Sequence, residues 1–106
     1  MMQTSPLTLD QAGLQSLEVL AAVTEQVLGP RTMAVRELQK VIDERSFGAY
    51  WRASTAFNAL SGVTRSKIAD RATTIARRFH DPSADMRSQF PELFKGVPAS
   101  TARVWH

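Results

Sequence analysis

The chain has no cysteine. Disulfides, thiolate metal sites and a cysteine nucleophile are therefore excluded. Histidine is almost as scarce, with only His80 and His106. A serine–histidine pair would have to rest on His80, and zinc-type sites lack the ligands they need. The five glycines form no phosphate-cradling loop. No apolar run approaches the ~18 residues of a membrane span. The opening residues, MMQTSPLTLD, carry neither a basic cluster nor an apolar stretch, so no secretory leader is expected. Strand-like alternation, internal repeats and low-complexity runs are missing as well. The carboxylates are scattered, and no acid/base pair stands out. These absences point away from an enzyme, a cofactor, a metal or a membrane, and towards a cytoplasmic protein that works by binding.

What is present suits a single globular domain. The chain has 106 residues, 43% of them apolar and 22% charged. Helical periodicity runs almost throughout. The expected architecture is all-α, a small bundle of four main helices plus a short C-terminal one, with a homodimer expected. Residues 1–7 read as a disordered lead, 8–95 as the domain and 96–106 as a tail in which Trp105 has no assigned place.

Thr8 reads as an N-cap with Gln11 completing a capping box. The helix behind it is apolar over more than half its girth (Leu9, Ala12, Leu20, Val23 and Val27 beside Leu14, Leu17, Ala21 and Leu28). It should touch two neighbours or a second subunit. Gly29 stops it, and Pro30 suits the first turn of a helix over 31–45. Ala34, Val35, Leu38, Val41 and Ile42 give that helix one clean apolar stripe, with Arg36, Glu37, Lys40, Asp43 and Glu44 opposite.

The densest signal is the stretch 46–62, SFGAYWRASTAFNALSG, which holds half of the chain's aromatic residues. Phe47, Tyr50, Trp51, Ser54 and Phe57 share one side of a helix, and Ala49, Ala53, Ala56 and Leu60 the other. A helix apolar on both sides is either the centre of a bundle or keeps one side for a partner. Aromatics and arginine are enriched where proteins bind one another. Phe47, Tyr50, Trp51 and Phe57 are therefore the expected anchors for a protein partner such as a transcription factor, with Arg52 at the rim. The chain would then act as an adaptor or antiactivator.

Positive charge is concentrated just beyond. Residues 64–80 hold Arg65, Lys67, Arg71, Arg77 and Arg78 against Asp70 alone, whereas the remainder carries eight basic and nine acidic side chains. A basic face suits nucleic acid or an acidic protein surface. In the predicted layout Gly62 closes the aromatic helix, Thr64 caps the basic one, and Val63 and Ile68 form a hydrophobic staple. Ile68, Ala72, Ile75, Ala76 and Phe79 form the buried stripe.

Residues 54–71, STAFNALSGVTRSKIADR, resemble a helix-turn-helix segment. Gly62, Val63, Thr64 and Ile68 occupy the turn glycine, the hydrophobic residue after it, the cap and the buried aliphatic, and Phe57 a buried place in the first helix. Asn58 and Arg71 depart from the pattern. The resemblance implies an alternative, a DNA-binding regulator. Thr64, Arg65, Ser66, Ala69 and Asp70 would face the groove, with Lys67, Arg71 and Arg78 beside it for phosphates. His80 should end the basic helix, with Asp81 and Pro82 starting a short helix to Phe90, and Phe90, Leu93 and Phe94 closing the core.

Overall fold

The computed structural model describes residues 9–97. Thr8, the rest of the lead, and the tail from Pro98 with Trp105 and His106 lie outside the described residues. Those described are 72% helical and contain no strand, which makes the fold all-α. Five helices follow one another: α1 (Gln11–Leu28), α2 (Met33–Glu44), α3 (Phe47–Asn58), α4 (Gly62–Phe79) and the single-turn α5 (Met86–Gln89).

The centre of the bundle is α1, not the aromatic helix. It packs against α2, α4 and α5, while α3 lies mainly on α2. Leu17, Leu20 and Val23 of α1 are fully enclosed, together with Ser16 and Thr24. Thr24 is tolerated there because its hydroxyl donates to the Leu20 carbonyl, 2.7 Å away. Alanines at Ala69, Ala72 and Ala76 are the contact residues of α4, and small side chains allow its backbone to approach closely.

Several boundaries differ from the expected ones, each for a local reason. The cap of α1 is Asp10, whose carboxylate accepts from the Gly13 N–H at 2.7 Å. Gly29 ends α1 as expected, at φ 93°. Pro30 lies in the turn rather than in α2, which starts behind Thr32. No glycine separates α2 from α3. Arg45 does so, in the left-handed region at φ 51°, its N–H donating to the Val41 carbonyl. Ser46 then caps α3 at once, so α2 and α3 are two distinct helices.

The α3–α4 junction shows the largest correction. α3 ends at Asn58, and Ser61, not Thr64, is the cap of α4, accepting from the Thr64 N–H at 3.1 Å. Gly62 is therefore the first residue of α4. Val63 is 82% exposed and staples nothing. Phase then moves Ala69 into the core and turns Phe79 to solvent. Past α4, Asp81 does not begin a helix. Its carboxylate accepts from the Ser83 N–H and hydroxyl, which hold it below the usual carboxylate range, and Asp85 caps α5. Phe90, Leu93 and Phe94 are buried and close the core as expected.

Candidate functional site on the α3 surface

Ser46 fixes the phase of α3 by accepting from the Ala49 N–H at 3.1 Å. That phase divides the four aromatics. Phe57 is fully buried and meets Phe94 edge-on, with ring centres 5.8 Å apart. Tyr50 is buried beside Phe90, and its hydroxyl donates to Glu92 Oε1 at 2.7 Å. Burial, and then the adjacent Glu92 carboxylate, push the Tyr50 hydroxyl far above its ordinary pKa. Asn58 ties down the same segment, donating from Nδ2 to the carbonyls of Ser54 and Glu92 at 2.7 and 3.0 Å. The segment 90–97 thus covers one flank of α3.

The other aromatics are left about half exposed. Phe47 is 48% exposed and Trp51 is 57% exposed. They are one turn apart, so they form a contiguous apolar surface. Phe47 touches Tyr50 edge-on at 6.3 Å, and Lys95 Nζ sits 5.9 Å from the Trp51 ring centre. Of the five residues expected to contact a partner, Phe47, Trp51 and Arg52 are on the surface, and Tyr50 and Phe57 are inside.

On the next flank a groove of roughly 500 Å³ runs between α2 and α3. Met33, Ala34, Ala56 and Leu60 make it apolar, Glu37 and Arg52 also line it, and Thr55, one turn beyond Trp51, joins it to the exposed aromatics. Sequence reasoning placed Glu37 on the polar side of α2, yet it is only 8% exposed. Arg52 bridges α3 to α2 there, with Nε 3.5 Å from Glu37 Oε1 and a terminal nitrogen 3.3 Å from Glu44 Oε1. Lys40 Nζ lies 3.8 Å from the other Glu37 oxygen. Glu37 Oε1 still receives no properly aligned hydrogen bond, so its only compensation is the nearby guanidinium charge. The groove could not be anticipated from periodicity. The exposed Met33 just behind the Thr32 cap was the available signal.

The basic helix is differently organised from a helix-turn-helix. α3 packs on α2 and α4 on α1. Only Ile68, of the four turn positions, stands where the pattern requires. Arg65 is engaged inside the fold, donating to the carbonyls of Lys95 at 2.8 Å and Leu60 at 3.3 Å and to Asn58 Oδ1 at 3.4 Å. Ser66 and Asp70 both receive Arg87, at 3.0 and 2.8 Å. The Thr64 hydroxyl accepts from Ser61, and Ala69 is in the core. Lys67, Arg71 and Arg78 are exposed.

His80 is an exposed C-cap, and among the described residues no three His, Asp or Glu side chains converge as metal ligands. None of the helices among the described residues is long and apolar enough to cross a membrane. No protein-family model matches the chain, nor does any curated protein or solved structure.

Proposed function

We propose that this chain is a non-enzymatic regulatory protein that binds a partner protein through the outer face of α3. The observation that carries this is the pair Phe47 and Trp51, two large aromatics side by side on an exposed helix face, continuous through Thr55 with an apolar groove. Exposed aromatic area next to a concave apolar surface is the usual make-up of a docking centre. Phe47 and Trp51 act as anchors, the groove takes an apolar side chain of the partner, and Arg52 is the charged rim. Tyr50 and Phe57 serve the same face from within, by holding α3 against the segment 90–97. A regulator of this kind acts as an adaptor or antiactivator in the cytoplasm, for instance on a transcription factor, and a homodimer through the same face belongs to the same reading. It requires no cofactor.

Trp51→Ala is the test. Helix content and the denaturation midpoint should stay near those of the parent, while self-association by sedimentation, or retention of a protein captured by the parent chain, should be lost. A variant that unfolds would make Trp51 a structural residue. A variant that associates as the parent does would end the proposal.

A further inference from the structure

α4 carries a second surface, independent of the docking face. Its cations divide into two sets. Arg65 and Arg77 are committed to backbone carbonyls, Arg77 Nε donating to Ala84 at 2.6 Å. Lys67, Arg71 and Arg78 have no ion pair or side-chain hydrogen bond among the described residues, and all three are exposed. With Thr74 they fall at intervals of four, three and four residues, which is one straight row on a helix. At 1.5 Å per residue that row is about 16 Å long.

Its borders are short of negative charge. Asp70, the only acid of α4, is paired with Arg87 at 2.8 Å. A shallow hollow of roughly 550 Å³ beside the row is lined by Gln26 of α1 together with Lys67, Asp70, Arg71, Thr74 and Ile75, its one carboxylate being the Asp70 already held by Arg87. The α1 row running back from Gln26, through Ala22, Val19 and Gln15, contains no carboxylate. The row therefore meets solvent as positive charge that no carboxylate pairs, with the Gln26 amide offering a further hydrogen-bond donor, while the Thr74 hydroxyl donates to the Asp70 carbonyl at 2.9 Å.

We infer that this row binds the phosphodiester backbone of nucleic acid, without reading base sequence. A protein interface would need apolar anchors at its centre, and the row has none between its cations. A duplex backbone needs only charge and donors, and presents one phosphate for every ~1.7 Å of axis. The residues that would read bases in a helix-turn-helix are engaged within the fold, which leaves backbone contact as the available mode.

Anisotropy of labelled duplexes of two unrelated sequences, with the full chain at about 20 mM salt, tests the inference. Both duplexes should bind alike. Three phosphates neutralised give a salt slope near 2.7, or about 80-fold weaker binding on going from about 20 to about 100 mM salt. The variant Lys67→Gln/Arg71→Gln/Arg78→Gln should lose binding, and the charge-matched control Arg31→Gln/Arg36→Gln/Arg45→Gln should keep it. Equal losses in the two variants would reduce the effect to net charge and overturn the inference. So would the absence of duplex binding alongside Lys67/Arg71/Arg78-dependent binding of a polyglutamate peptide, which would assign the row to an acidic protein.

Discussion

In α3 the aromatic side chains divide by helical phase, and in α4 the cations do. Phe57 and Tyr50 face the segment 90–97, and Phe47 and Trp51 face solvent. Arg65 and Arg77 reach the backbone carbonyls of Lys95 and Ala84, and Lys67, Arg71 and Arg78 reach none among the described residues. In both helices one residue type supplies both a structural set and an outward set. The difference lies in what covers each flank. α3 is covered by a segment that brings its own aromatics, so ring meets ring. α4 is bordered by loop and helix-end carbonyls, which suit guanidinium donors. The outward set in each case is what the cover leaves exposed, Lys95 alone reaching the Trp51 ring.

Substitutions across each divide can break this comparison. The largest effect is expected for Phe57→Ala, which removes an enclosed ring and should cost about 3–5 kcal/mol in urea denaturation. The matching Trp51→Ala should stay within about 0.5 kcal/mol of the parent, as surface changes usually do. If the two losses are similar, the aromatics are not divided. Arg65→Ala should come next at about 1 kcal/mol, because its charged hydrogen bonds to the Leu60 and Lys95 carbonyls are lost, while Arg71→Ala should leave the midpoint unmoved.

Of the three inward-facing residues, Tyr50→Phe gives the smallest shift at neutral pH, at most about 1 kcal/mol for one hydrogen bond to Glu92. Its sharper signature is alkaline. The folded hydroxyl has a raised pKa, so the folded state holds its proton after the unfolded chain has released it. That contribution is complete below the unfolded value near ~10 and declines as pH rises beyond it. Tyr50 is the only tyrosine. Tyrosinate absorbance in the parent should therefore appear together with unfolding, and a signal that develops while helix content is intact would contradict the buried geometry. Tyr50→Phe should remove the tyrosine-linked part of the alkaline loss.

Much of this fold could be read directly from residue types. Gly29 marked the end of α1, and the stripe from Ala34 to Val41 marked the inner side of α2, because both follow from local backbone or periodic constraints. The α3–α4 junction was misread because Ser61 and Thr64 are both good caps, and Gly62 between them is as acceptable at the start of one helix as at the end of another. Only the Ser61 hydroxyl on the Thr64 N–H decides the matter. The division of the aromatics was illegible for a different reason. Phe47, Tyr50, Trp51 and Phe57 share a broad arc, and which half is covered depends on where residues 90–97 dock, a long-range contact that periodicity does not encode. Glu37 was misplaced on the same grounds, since its burial follows from the approach of α3 to α2.

The corner at Arg45 has a kinetic consequence. α2 and α3 are joined through a single left-handed residue and pack closely on each other. Bringing them together closes almost no loop, whereas pairing α1 with α4 must enclose both intervening helices and carries a larger loss of chain entropy. The corner is thus expected to nucleate folding. Ala53→Gly should slow refolding, and Ala72→Gly should chiefly accelerate unfolding. On that route the face bearing Trp51 takes shape before the bundle behind it is complete.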